Sequence, residues 1–330
     1  MGHPEPPSAR EVAHLKPTDS MGAFYTALCL TLTGAGVALT QACVWGHGWL
    51  DARAIWPLWF LGHVILSFGL LQAFVLLHEC GHGVLFRSRR LNTLTGHVFG
   101  ALCFIPYRSW VTIHSAHHKW TGWQDLDPTT ESLVPRPLGN GERLLMNTCW
   151  RFWIPSFSIV YRVSNFWNFG KLSGVARTPG DLRAMKVNAA ALALLYAGLL
   201  FALGPKAIAL GFLPGVLLSL VMLDPIMLSQ HSHIPLELSH GEDVRAIRAR
   251  DQEVYTRSLR FPDWFSRYVL VHFDAHELHH IYPQLPGYRL RQIDYAPGNE
   301  AHWLTWILKA RRMPAETLLF KNRRDTGSDV

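Results

Sequence analysis

The chain has 330 residues, of which 49% are hydrophobic and 17% charged, with a formal net charge of +7. Its mean hydropathy is +0.09, and the apolar residues are gathered into blocks. That pattern excludes a disordered chain and an ordinary soluble domain, and points to an integral membrane protein. The positive balance suits a cytosolic face set against anionic lipid or an acidic redox partner, and not a nucleic-acid footprint.

Residues 1–20 are polar and carry Pro4, Pro6, Pro7 and Pro17, which reads as a disordered cytosolic lead-in. The first apolar block is too long and starts too late for a cleavable signal peptide. Met21 to Trp45 and Ile55 to Leu77 carry no Asp, Glu, Lys or Arg. Each is long enough for a hydrocarbon core of about 30 Å at about 1.5 Å rise per residue. The short link from Gly46 to Ala54 makes them a hairpin. His63, inside the second block, reads as a packed or pore-facing side chain rather than a ligand.

The second block runs into His78 and His82, and then Arg87, Arg89 and Arg90, which mark the cytosolic side. Leu94 to Tyr107, bounded by Pro106, is too short to span and reads as a re-entrant or interfacial piece. It returns the chain to the same face at His114, with His97 as an outside candidate for any site there. Lys119 to Arg143 reads as a cytosolic loop containing Asp125, Asp127, Pro128 and Pro135. Leu144 to Trp167 mixes aromatic residues with Arg151 and Arg162, which favours a helix lying in the interface.

After a basic stretch from Lys171 to Lys186, Val187 to Leu203 and Ala207 to Leu228 form a second apolar pair, separated by a turn at Gly204-Pro205-Lys206. Asp224, near the end of the fourth span, is costly in lipid and is expected to face the bundle interior or the interface. Gln230-His231-Ser232-His233 follows directly, and no later block can span. Four spans with both termini inside leave only Arg53 and Lys206 in the outer links, as the positive-inside rule requires. The expected fold is therefore all-α: a four-helix transmembrane bundle of two hairpins under a cytosolic helical cap. Its divisions are the lead-in, a membrane domain over 21–292 and a soluble tail over 293–330.

Three windows repeat one pattern: His78-Glu79-Cys80-Gly81-His82, His114-Ser115-Ala116-His117-His118 and His276-Glu277-Leu278-His279-His280. Eight of the 18 histidines lie in them. Spacings of three and four residues return to one helix face, so each window aims two or three imidazoles at one point, and imidazole is the commonest protein ligand for transition metals. The remaining His3, His14, His47 and His302 stand alone and read as surface residues. The five cysteines show no paired or metal-type spacing and read as buried small residues.

The first and third windows also match the His-Glu-x-x-His pattern of zinc metalloproteases, which leaves a distant alternative, an intramembrane zinc protease using His78, Glu79, His82 and Asp224. A single catalytic zinc takes three protein ligands, however, and cannot use eight histidines. The surplus predicts two metals sharing one bundle, all three windows being on the same side of the membrane.

The three boxes, placed around two transmembrane hairpins, resemble the membrane fatty acid desaturase superfamily. The run Ile281-Tyr282-Pro283-Gln284-Leu285-Pro286-Gly287-Tyr288-Arg289-Leu290 looks like the signature that follows the third box in acyl desaturases. Gln230-His231-Ser232-His233 is similar to an extra histidine element of the Δ12 and ω3 type members. The likeness runs from about residue 55 to 292.

The resemblance implies a non-haem di-iron centre (Fe2+/Fe3+) bound by His78, His82, His114, His117, His118, His276, His279 and His280, with His231 as a ninth ligand. His233 lies near Pro235 and is expected to point elsewhere if that segment stays helical. It further implies O2 as co-substrate, a fatty acyl lipid or thioester as substrate, and desaturation as the reaction, with hydroxylation, ketolation or olefin-forming decarboxylation as alternatives. No fused cytochrome b5 domain is expected, so electrons would come from a separate ferredoxin, rubredoxin or cytochrome b5. A short chain with neither a retention signal nor a fused reductase is expected in a bacterial inner membrane, with boxes and termini cytoplasmic. Asp125, Asp127, Asp274 and Glu277 are candidates for partners that orient the ligand histidines. Phe68, Phe74, Trp110 and Trp264 are candidates for lining an acyl channel.

Overall fold

The computed structural model describes residues 5–46 and 51–330. His3, His47 and most of the link between the first two spans lie outside the described residues. Among the described residues, four helices are long and apolar enough to cross a membrane, which makes this an integral membrane protein. They are α1 (Asp19–Trp45), α2 (Ala52–His82), α8 (Pro179–Gly211) and α9 (Leu213–His231).

Close backbone approach holds α1 on α2. A Cβ on Gly36 would lie 2.7 Å from the Leu66 Cα, and one on Gly69 would lie 2.7 Å from the Thr33 backbone nitrogen. Packing of this kind, and not hydrophobicity, joins helices inside lipid. The helices α2 and α9 form the buried middle of the bundle. The helix α8 stays at the edge, with Leu194 and Phe201 turned outward to meet lipid.

The second hairpin differs from expectation in its turn. Gly204 does break the helical path, with φ +78°, but Pro205 to Gly211 recoil as a short helical piece, and the fourth span begins at Leu213. That piece is held under the ends of α1 and α2: Thr40 Oγ1 donates to the Gly211 carbonyl at 2.6 Å, and Trp59 Nε1 to the Leu210 carbonyl at 2.8 Å. His63 is buried and lies 3.0 Å from the same Leu210 carbonyl. The polar loop expected at a turn is thus replaced by side chains that satisfy its carbonyls.

Between the hairpins the chain folds as short helices: α3 (Arg89–Leu102), α4 (Tyr107–Trp120), α5 (Asn140–Arg151), α6 (Ser156–Arg162) and α7 (Phe169–Val175). The expected re-entrant piece is split in two, because Phe104 takes φ +59° and Pro106 caps the start of α4. The expected interfacial helix over Leu144 to Trp167 is likewise broken, at Trp153 with φ +57° and at Pro155. Its exposed Leu144, Phe152, Ile154 and Val160 keep the apolar surface that an interface demands.

The cap is completed by α10 (Asp263–Tyr268), α11 (His276–Ile281), α12 (Gly287–Leu290), α13 (Trp303–Ala310), α14 (Ala315–Phe320) and α15 (Arg323–Thr326). Two three-residue strands, β1 (Ser258–Arg260) and β2 (Glu300–His302), pair in parallel.

Residues 5–20 and 293–330 pack more fully than the sequence suggests. In place of a disordered lead-in, Val12 and Leu15 are buried with Leu278, Ile281 and Leu285, and Arg87 Nε donates to the Pro17 carbonyl at 3.0 Å. Packing shows no break at residue 292 either, since Trp306, Ala310 and Leu318 are buried with Leu228 and Leu259. A few apolar residues in each polar segment suffice, because the cap offers them a partner surface that local composition does not reveal. His14 and His302 are exposed.

Candidate metal centre

Each histidine box sits at a place the fold makes rigid. His78 and His82 are the last turn of α2, closed by Gly83 with φ +73°. His114, His117 and His118 lie on α4, which leans on α2 where Gly81 leaves room for the Trp110 ring. Trp110 stacks on His114 with ring centroids 4.3 Å apart, and Tyr107 donates to the Cys80 carbonyl at 3.0 Å, so helix contact and ring orientation are coupled. His231 ends α9, and His276, His279 and His280 form α11, preceded by Val271 and His272 in left-handed backbone.

The nine histidines converge as two groups. His78, His82, His114, His118 and His279 form one, and His117, His231, His276 and His280 the other, with the ligating atoms of each group within 4.8 Å of one another. The Nε2 atoms face inward. They lie 3.0 Å apart for His78 and His279, 2.8 Å for His82 and His114, 3.0 Å for His118 and His279, and 2.9 Å for His231 and His276.

The outer nitrogens explain that direction. His78 Nδ1 donates to Glu79 Oε1 at 3.1 Å, His117 Nδ1 to Asp127 Oδ2 at 2.7 Å, His231 Nδ1 to the Tyr255 carbonyl at 3.3 Å, and His280 Nδ1 to Gln252 Oε1 at 2.9 Å. A carbonyl or carboxylate oxygen only accepts, so each of these rings carries a proton on Nδ1, which leaves Nε2 as the atom turned inward for a metal. With the inward nitrogens of each group within 4.8 Å of one another and four of the rings turned by Nδ1 hydrogen bonds, the donor set fits two metal ions. All-imidazole ligation suits iron, zinc or copper.

Burial, reinforced by neighbouring imidazoles, holds His114, His118, His276, His279 and His280 well below the usual imidazole range, so each keeps a lone pair that could bind a metal. Burial alone would raise the Asp127 carboxyl. Its interaction with His117 and the hydrogen bonds from His117 and the Thr129 amide instead hold it below the ordinary value, so it stays a carboxylate.

Of the four candidate orienting residues, Asp127 alone touches a histidine of the two groups. Asp125 accepts from the Ser239 amide and hydroxyl, and Asp274 from Ser266 and Arg291. Glu277 accepts from the Ser258 amide at 3.1 Å and the Asn299 amide at 2.7 Å, which ties α11 to the two strands. Burial pushes the Glu277 carboxyl up to about 7, against the pull of Ser258 and Asn299. These three carboxylates satisfy nearby backbone and side-chain donors of the cap, which spacing alone could not show.

Two orienting residues escaped the sequence reading. Glu79 stands beside His78 within the box itself, and that adjacency was the available signal. Its other oxygen accepts from the Gly287 amide at 2.7 Å, joining α2 to α12. Gln252 lies in an irregular stretch and had no signal. Its Nε2 donates to the His118 carbonyl at 2.8 Å while its Oε1 holds His280, so it bridges the second and third boxes.

The zinc-protease constellation is not assembled. Asp224 accepts from the Ser158 amide at 2.8 Å and is absent from both histidine groups, while Glu79 and Glu277 serve the backbone. His97 lies against the Tyr107 ring, also outside both groups. His233, two residues after His231, takes φ +62° and turns away to the Lys321 carbonyl and Thr326. All five cysteines are buried free thiols.

A cavity adjoins the histidines, lined on one side by Phe74, Trp110, Phe273 and Met227 and on the other by polar residues such as Gln124, Thr129 and Gln230. Of the four proposed lining residues, Phe68, further down α2 from His78 than Phe74, packs on Phe265 instead, and Trp264, on the separate short helix α10, is largely exposed.

Comparison with known proteins decides the family: the fatty acid desaturase model matches residues 54–308. The chain belongs to the fatty acid desaturase family. It is 24% identical over 274 residues to an acyl-lipid omega-3 desaturase (cytochrome b5) of the endoplasmic reticulum from Arabidopsis thaliana, covering 78% of this chain and 66% of the relative. It is 26% identical to a probable fatty acid desaturase from Sorghum bicolor over 73% of this chain and 63% of the relative. Against a chloroplastic omega-3 fatty acid desaturase from Glycine max the identity is 27%, over 76% and 55%. The chain spans between about half and two-thirds of the length of these desaturase relatives.

Proposed function

We propose that this protein is a membrane-bound di-iron desaturase that inserts a double bond into a long acyl chain. The observation that carries this reading is the convergence of a five-histidine and a four-histidine group beside a cavity lined on one side by Phe74, Trp110 and Phe273. In this reading the eight box histidines and His231 hold two irons. When bound, the irons supply the redox chemistry: O2, two external electrons and two protons become two waters as one CH2–CH2 unit gives up two hydrogens.

The chain's own residues position and exclude. Asp127, Glu79, Gln252 and the Tyr255 carbonyl keep ligand protons on Nδ1, so that Nε2 stays available. The aromatic lining keeps the reacting carbons dry and in one place, which matters because abstraction from an unactivated CH2 tolerates little misplacement. The arginines at 87, 89 and 90 and the basic cap support a cytoplasmic placement of the boxes. The names of the plant relatives, which mention cytochrome b5 and ferredoxin, support an external one-electron donor of that kind.

Expression in a host with simple lipids, followed by mass spectrometry of its acyl chains, tests the reaction. A new double bond that is missing with His280→Ala supports desaturation. A hydroxy acid, or a terminal alkene shortened by one carbon, moves the protein to a hydroxylase or decarboxylase role. Metal analysis giving one zinc and no iron would end the di-iron reading.

A further inference from the structure

The cavity beside the histidines has a neighbour. A second cavity is lined by Trp150, Ile154, Val160 and Leu318, and the two share Leu133, Phe157 and Leu319. Those three side chains are the wall between them. The outer cavity opens beside Ile154 and Val160, which are exposed.

Its depth follows from one hydrogen bond. The Ser158 amide of α6 donates to Asp224 on α9, seven residues before the ligand His231. Seven residues of helix are about 10 Å, so the mouth lies that far toward the membrane from the metal layer. The exposed Ile154 and Val160 stand at the mouth, and the Arg136–Glu142 pair at its polar rim.

The opposite wall is α14, a helix of six residues that cannot hold its place unaided. Three features hold it. The Ala315 amide donates to Asn147 Oδ1 at 2.8 Å, and Leu318 is buried against Leu228 and Trp306. Beyond the helix, the His233 ring contacts the Lys321 carbonyl at 3.1 Å, Thr326 Oγ1 at 2.8 Å and the Ser328 carbonyl at 3.2 Å. His233 thereby fastens the last segment of the chain to the end of α9, two residues from His231.

We infer that a membrane lipid threads its acyl chain to the metal centre sideways, between α6 and α14 past Phe157 and Leu319, and that residues 315–330 are a lid latched by His233. This rests on the acyl-chain reading of the histidine centre. The occupant is an alkyl chain still anchored in the leaflet, because the mouth lies on the membrane side of the histidines and its walls, Asp224 and the polar rim apart, are mainly apolar.

The test uses the metal-loaded full chain in phosphatidylcholine vesicles containing a trace of phosphatidylcholine with a mid-chain diazirine. Irradiation is expected to label peptides containing Phe157 and Leu319. L319W should lose most of that labelling and drop turnover about 100-fold by misplacing the chain, with iron per chain unchanged. L319A should keep both labelling and iron, which separates a plugged passage from a misfolded protein. H233A should keep its iron and expose Lys321 and Arg323 to trypsin.

Labelling confined to outward positions such as Phe201, unchanged labelling in L319W, or trypsin resistance in H233A equal to that of the unaltered protein would overturn the inference. So would loss of labelling on adding a soluble acyl thioester, which would place the entrance on the aqueous side. Labelling at Phe157 and Leu319 without any new double bond leaves the passage standing and removes the desaturase reading. New double bonds without that labelling do the reverse.

Discussion

Asp127 and His117 meet at 2.7 Å, Oδ2 to Nδ1, with both side chains almost fully buried. The other oxygen of Asp127 accepts from the Thr129 amide at 2.8 Å, so the carboxylate is fixed before it fixes the ring. His117 belongs to the four-histidine group, and its orientation depends on this contact. Replacing Asp127 by Asn should weaken metal affinity about 10–100-fold while leaving the chain folded. Metal titration against a competing chelator reads the effect, and an affinity equal to that of the unaltered protein would refute it.

Gln252 is a second clamp, with a different expected signature. Gln252→Leu removes one donor to the His118 carbonyl and one acceptor for His280 Nδ1, both buried. The orphaned groups should cost about 1–3 kcal/mol of stability. Gln252→Glu restores the acceptor alone, so thermal unfolding in detergent should rank it between Leu and Gln.

Gly81 should resist even alanine. A Cβ there would lie 1.9 Å from the Trp110 ring, and Trp110 is stacked on His114. The overpacking should cost about 1–3 kcal/mol and disturb the ring beneath it. Iron content and melting temperature of Gly81→Ala should fall together. Full iron with a normal melting temperature would show that Trp110 can move without consequence.

His272 should set part of the acid sensitivity. Burial first, and then Arg291 and Arg267, hold its imidazole down at about 4. The unfolded chain protonates His272 near 6.5, which the folded protein resists, so stability is full above about pH 6.5 and falls as pH drops toward 4. His272→Gln should shrink the difference in melting temperature between pH 7.5 and pH 5. An unchanged difference would assign the acid limb to other groups.

How much of this was legible beforehand depends on the range of the interaction concerned. Apolar blocks and histidine spacing are local properties, so the four spans and the three boxes could be read directly from residue order. The His78 to His82 interval predicts one helix face because the helical period guarantees it. Accordingly α2 runs straight on from the apolar block through its box to His82 and ends at Gly83.

Partners were a different matter. Asp127 and Glu277 look alike on paper, each an acidic residue near a box, yet one orients His117 and the other bonds Ser258 and Asn299. Similarly, His231 and His233 are separated by one serine, and the backbone turn after α9 sends the first to the metal layer and the second to the tail. Helical period and apolar runs, being short-range, were therefore enough for the membrane spans, the three boxes and the capacity for two metals. Which acidic and amide side chains steady the histidines, and how His233 ties the chain's last segment to the end of α9, was left to contacts between residues about 10 to 170 positions apart, which no local pattern encodes.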